Sequence, residues 1–185
     1  MEVTPTTLPE VLSITPRIHR DARGFFKETW QADRYAAIGV PGGFVQDNLS
    51  RSIKGTVRGL HFQEPKGQGK LVSVLSGSVF DVVVDVRFGS PRFGRWAGLV
   101  LNAEDHCQLW IPPGFAHGFC VLSETADFFY KCTELYDPAC ERSVRWDDPA
   151  IGIDWPVGTP LLSAADAVAP PLSAVTSLPA YEPAP

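Results

Sequence analysis

The sequence predicts an all-β protein, a barrel or jelly roll with little helix. Three observations lead there: many short apolar or alternating runs, turn-forming clusters of Gly, Pro, Asp and Ser at regular spacing, and almost no helical periodicity. At 185 residues, 44% hydrophobic and 20% charged, the chain suits a single domain with a real core.

Residues 11–18 read as a short strand, and Asp21-Ala22-Arg23-Gly24 as a turn into a second strand over 25–30. One or two helical turns over 31–38 are ended by Gly39 and Pro41. Extended structure resumes at 44–50, where Gln46 and Asn48 share a face that is either a solvated edge or a reader of a polar ligand. In the strand reaching Gln63, His61 and Gln63 look one way while Leu60 and Phe62 pack the other way.

Strands at 70–75 and 79–87 are joined by Ser76-Gly77-Ser78, a hairpin signal. In the second of them, either the face bearing Asp81 and Asp85 is solvated or both carboxylates enter a polar lumen. A loop at 89–94 leads to a strand at 96–101. A further run at 108–111 passes through Pro112-Pro113-Gly114-Phe115-Ala116-His117 to an apolar strand at 120–122. A strand at 127–134 is broken by Tyr136-Asp137-Pro138. From Pro156 onward the composition shifts, with seven of the seventeen prolines; Leu161 to Asp166 begins a segment that packs back, and residues beyond about 170 form a loose tail or a strap.

Composition also sets bounds on function. No apolar run reaches membrane-spanning length, and residues 1–9 lack the pattern of a secretory signal, so a cytoplasmic location without membrane association is expected. Four cysteines without a C-x-x-C pair suit reduced, structural thiols, with neither disulfide nor zinc expected. A net charge of -5 argues against nucleic acid as a partner and requires that the cations for any anionic ligand be local.

The densest chemistry lies in Gly55-Thr56-Val57-Arg58-Gly59-Leu60-His61-Phe62-Gln63 and Gln68-Gly69-Lys70-Leu71, which gather a guanidinium, an imidazole, an amide and a lysine. Such a face suits a proton-transferring or metal-binding pocket inside a barrel; for a lone histidine, the alternative is a satisfied core hydrogen bond.

Gly-Leu-His61 and Pro112-x-Gly114-x-x-His117 resemble the two motifs of the cupin, or double-stranded β-helix, superfamily. Metal-binding cupins place His-x-His and a Glu in the first motif; here Phe62 and Gln63 follow His61, so no metal site and no cofactor are expected. A closer resemblance covers about residues 11–166. It runs through Asp21-x-Arg-Gly-Phe-Phe, Phe44-Val-Gln-Asp-Asn, Arg58-Gly-Leu-His-Phe-Gln, Gln68-Gly-Lys-Leu, Ser90-Pro-x-Phe-Gly-x-Trp, Pro113-Gly-Phe-Ala-His-Gly-Phe, Asp148-Pro-x-Ile-Gly-Ile-Asp-Trp-Pro and Leu162-Ser-x-x-Asp166. In order and spacing these are similar to the dTDP-4-dehydrorhamnose 3,5-epimerase family.

The resemblance implies proton abstraction at C5 and C3 of dTDP-4-dehydro-6-deoxy-D-glucose, beside the C4 ketone, and reprotonation from the opposite face. His61 matches the family's base, Asp166 its orienting carboxylate, Lys70 the cation at the enolate oxygen, and Tyr130 the proton donor. Arg23, Glu28, Gln46, Asn48, Arg58 and His117 match contacts to nucleotide and sugar, with Asp47 inside the same Gln-Asp-Asn motif. Phe26 and Tyr136 match stacking partners for thymine, and Glu141 a polar contact. Because strict alternation sets Arg58 and His61 on opposite faces, a shared ligand requires a bulge at Gly59. The family forms homodimers whose N-terminal strands cross between subunits, so the implied partner for residues 1–30 is a second copy of the chain.

Leu49 stands where the family often has histidine, and Phe62 replaces tyrosine. Relatives with the same base and acid epimerise only C3 or only C5, or move the keto group. A non-catalytic cupin that binds a nucleotide sugar is the alternative of another class.

Overall fold

The computed structural model describes residues 1–183; Ala184 and Pro185, the end of the Pro-rich C-terminal segment, lie outside the described residues. Two antiparallel sheets face each other. One runs, in spatial order, β1 (Glu2–Pro5), β2 (Leu12–Thr15), β10 (Gln108–Ile111), β7 (Lys70–Ser76), β12 (Thr125–Cys132) and β5 (Gln46–Ile53). The other runs β13 (Glu141–Ser143), β6 (Val57–Gln63), β11 (Phe115–Val121), β8 (Ser78–Asp85) and β9 (Trp96–Asn102). A separate hairpin joins β3 (Ile18–Asp21) to β4 (Gly24–Lys27), and the helices are short: α1 (Ala32–Ala36) and α2 (Ala164–Ala167). This is the all-β, jelly-roll class expected from the sequence.

Boundaries differ from expectation where local chemistry intervenes. The single strand expected at 11–18 breaks at Pro16, which has no N–H to pair, so β2 and β3 are separate. The strand expected at 120–122 begins earlier, at Phe115, so His117 lies on β11 rather than in the loop before it. Strands β1 and β13, four and three residues long, carry too little pattern to stand out.

Apolar residues fill three spaces. Val72, Val74, Val83, Leu101, Leu109 and Ile111 pack between the sheets. Leu71, Trp110, Ile14, Tyr35 and Val40 form a second cluster on the outside of the larger sheet, where the α1 segment lies. Leu60, Phe62, Val82, Val84 and Ala116 form a third outside the smaller sheet, under Ile151, Trp155, Leu172 and Leu178. The segment from 144 onward is therefore a strap, pinned by a parallel bridge between Thr56 and Leu161 and another between Phe88 and Ala180. With the smaller sheet covered on both faces, β8 is buried along nearly its whole length. Asp81 and Asp85 have no exposed surface, which overturns the solvated alternative for that face. Asp85 instead accepts from the Arg87 guanidinium and the Ser90 hydroxyl, and Arg87 lies between the rings of Phe115 and Tyr181 at 4.3 and 5.0 Å.

Candidate active site

The site is organised by an irregularity in β6. Opposite β11, His61 pairs with His117 while Arg58 pairs with Phe119, so three steps on β6 answer two on β11. The extra residue brings Arg58 and His61 to one face, and the bulge falls at Gly59. Gly59 has φ +117°, and a Cβ there would lie 2.6 Å from both Gly118 Cα and His117 O. Only glycine fits that backbone and that contact.

Arg58, His61, Lys70, His117, Tyr130 and Asp166 line a single cavity of about 430 Å³ between the sheets. His61 and His117 come from the smaller sheet, and Lys70 and Tyr130 from the larger one facing it. His61 Nε2 donates to Asp166 Oδ1 at 2.6 Å. Because a carboxylate must be met by an N–H, Nε2 carries the proton, and Nδ1 is the ring nitrogen that remains to accept one.

Asp166 is 4% exposed. It sits in α2, whose N-cap Ser163 accepts from the Asp166 amide at 3.0 Å and returns its hydroxyl proton to Asp166 Oδ2 at 2.8 Å. Burial pushes the Asp166 carboxyl up, but the hydrogen bonds from His61, Ser163 and the Gly59 amide outweigh it and hold the group below the ordinary aspartate value.

Desolvation lowers the Lys70 ammonium, opposed by Cys132, Asp81 and Glu141, and it raises the Tyr130 phenol. No hydrogen bond from another described residue contributes at either group. Two polar heads thus enter the cavity with donors to offer a ligand. Beside them, His117 Nε2 donates to Asp81 Oδ2 at 2.9 Å, with its ring stacked on Phe128 at 5.8 Å. Burial raises Asp81, against the pull of His117 and Lys70.

The other sequence-predicted residues divide into two groups. Arg58 Nε donates to Ser52 Oγ at 2.9 Å. Gln46 donates to Asn48 at 3.0 Å and accepts from the Tyr136 amide, whose own hydroxyl donates to Glu141 at 2.8 Å. Gln46, Asn48, Tyr136 and Glu141 thus form a connected polar cluster on β5, β13 and the loop before β13, while Arg58 on β6 is tied to Ser52 of β5. Asp47 points outward and pairs with Lys131. Arg23, Phe26 and Glu28 are not brought to the cavity. Arg23 pairs with Asp21 on the exposed hairpin, Glu28 pairs with Arg34, and Phe26 is 71% exposed. Gln63, expected beside His61 on the polar face, is buried and clamps Lys66, Leu135 and Asp137 backbone groups.

Ser163, Ser52, Phe119 and Phe128 were given no site role from the sequence, and Asp81 was left between solvent and lumen, although each lines the cavity or holds a residue that does. Ser163 had a legible signal, a serine three residues before an aspartate at a helix start. Asp81 had a weaker one, a carboxylate inside a continuous valine run. Among the described residues no group of three or more His, Cys, Asp or Glu is placed to hold a metal ion, and no helix is long and apolar enough to cross a membrane.

Comparison with known proteins bears on this geometry. A family model described as dTDP-4-dehydrorhamnose 3,5-epimerase matches residues 5–174. A Neisseria gonorrhoeae protein of that name is 52% identical over 167 residues, 90% of this chain; the chain spans 51% of that relative's length. A dTDP-4-dehydrorhamnose 3-epimerase from Streptomyces niveus is 45% identical over 168 residues, covering 90% of this chain and 81% of the relative. The crystal structure of a dTDP-6-deoxy-D-glucose-3,5-epimerase from Legionella pneumophila, in complex with dTDP-4-keto-L-rhamnose, superposes with a TM-score of 0.96 at 52% identity, covering 98% of this chain and 99% of that one. The chain belongs to the dTDP-4-dehydrorhamnose 3,5-epimerase family.

Proposed function

We propose that the protein epimerises dTDP-4-dehydro-6-deoxy-D-glucose at C5 and C3, giving dTDP-4-dehydro-L-rhamnose. The observation that carries the reading is the pairing of His61 with the buried Asp166 on one wall of a cavity whose facing wall holds Lys70 and Tyr130. In this reading His61 Nδ1 takes the C5 proton, and the C–H electron pair moves toward C4, turning the ketone into an enolate. The Lys70 ammonium stabilises the enolate oxygen. Tyr130 delivers a proton to the opposite face of the carbon, and the phenolate regains a proton from solvent while the imidazolium loses one. The same cycle at C3 completes the double inversion. Arg58, at the cavity mouth, is suited to the diphosphate.

Proton NMR in deuterated water tests this, with the product trapped by a rhamnose-forming reductase. Deuterium at both C3 and C5 and an L-rhamnose product is the expected result. Label at one carbon identifies a mono-epimerase. Tight binding without exchange identifies a binding protein and overturns the roles given to His61 and Tyr130.

The acting unit in this proposal is a cytoplasmic homodimer of single-domain subunits, in which Arg23, Phe26 and Glu28 of each hairpin complete the other subunit's site. It is supported by the distance of those three residues from the cavity and by the exposure of Phe25 and Phe26 on a hairpin outside both sheets. Mixing Arg23→Ala and His61→Asn subunits should restore up to about a quarter of wild-type activity, because about half of the dimers are then mixed and each of those has one of its two composite sites intact. No recovery after subunit exchange would place Arg23 in its own subunit's site or outside any site.

A further inference from the structure

The residues from 161 to 172 form an arc that walls one side of the cavity, and its helical turn is exposed except at Asp166. At one end Leu161 exchanges backbone hydrogen bonds with Gly55 and Val57, flanking the start of β6. At the other end the arc is fastened by residues that never approach the cavity. The Arg145 amide donates to Pro170 O at 2.8 Å, and the Leu172 amide donates to Asp148 Oδ2 at 2.6 Å. Asp148 is 3% exposed; its second oxygen accepts from the Ala150 amide at 3.0 Å, and its carbonyl accepts from Ile151 and Gly152.

The carboxylate is this buried with no lysine or arginine side chain among its hydrogen-bond partners, and backbone amides alone satisfy its oxygens. Its position explains the arrangement. Leu172 is a core residue under the smaller sheet, so fixing its amide fixes where the arc descends from the surface. With both feet fixed, the single turn of α2, its three alanines exposed, lays Asp166 against His61 at 2.6 Å.

We propose that Asp148 is a positioning residue for the reaction: by anchoring Leu172 it sets the arc that aims Asp166 at His61. The inference rests on the reading of His61 and Asp166 as base and orienting group. Asp148 touches no part of the cavity and acts only through that pair.

The test is a double-mutant cycle on kcat, with Asp148→Ala, Asp166→Ala and the double variant assayed well below their melting temperatures. Misaiming a reacting group by about 1 Å costs up to about 10²-fold, so Asp148→Ala is expected to lower kcat by about ten- to a hundredfold with KM nearly unchanged. Asp148→Asn, which keeps one acceptor for the Leu172 amide, is expected to recover most of that loss. In the Asp166→Ala background the Asp148 substitution should cost less than about twofold. Equal losses in both backgrounds, or a loss of thermal stability with wild-type kcat, would overturn the positioning role while leaving the base intact. Unchanged turnover in Asp166→Ala alone would overturn the pair itself and this inference with it. Should Asp148→Ala fail to fold, Asp148→Ser, whose shorter side chain can still cap the Ala150 amide but not reach that of Leu172, carries the same cycle with the same criteria.

Discussion

Substituting Gly59 by alanine probes the link between backbone and chemistry most directly. The new Cβ would be 2.6 Å from Gly118 Cα and from His117 O, both backbone atoms of the adjoining strand, which cannot swing aside as a side chain can. Holding a non-glycine residue at φ +117° costs about 1–3 kcal/mol. Forcing β6 from β11 to admit the methyl costs about 1–3 kcal/mol more. The sum, about 2–6 kcal/mol, is a large part of the 5–15 kcal/mol or so that holds a typical domain together. At about 2–4 °C per kcal/mol for a chain of this size, the melting temperature should fall by about 4–24 °C. The chain can escape part of that cost by flattening the bulge, but strict alternation then turns either Arg58 or His61 out of the cavity. Calorimetry paired with isotope exchange follows both effects. A variant that melts within about 2 °C of wild type and exchanges at the wild-type rate would refute the claim that Gly59 builds the site.

Three other outcomes follow from the cavity. His61→Asn should abolish exchange at both carbons while dTDP still binds by isothermal titration; unchanged turnover would eliminate His61 as the base. Lys70→Met removes a donor at the enolate oxygen and should lower kcat by about 10²–10³ with a smaller change in KM, a split read from steady-state kinetics. Asp166 has a depressed folded-state pKa, so its pairing stabilises the fold above the unfolded value near 4 and loses that contribution as pH falls through the lower folded value. The melting-temperature gap between wild type and Asp166→Asn should therefore be constant from about pH 7 to 5 and close below about pH 4.

The sequence foretold those elements that express themselves locally. Ser76-Gly77-Ser78 marked the β7–β8 hairpin, and the alternating row of β6 marked a strand with one polar face. The bulge was inferable because two residues of one motif needed one face. What stayed hidden was set by partners distant in sequence. Asp81 looked as solvated as any strand carboxylate until the larger sheet closed over its face and His117 met it from β11. The strap itself, rich in proline and poor in periodicity, could not be told from a tail, since its order comes from isolated bridges and buried apolar side chains. Gln63 was misjudged for a related reason: alternation gives the face of a side chain but not whether water or three loop backbones wait there.

The space between the sheets is divided between two materials. Toward β9 and β10 it is closed by valine and leucine; toward β5 and β6 it opens into a polar cup, and single strands such as β7 contribute to both, with Lys70 in the cup and Val72 and Val74 in the plug. Folding is thus underwritten by one set of rungs and chemistry by another. Lineages can drift at the cup while the plug keeps the scaffold intact, so that a new stereochemical outcome needs a few altered side chains and no new architecture.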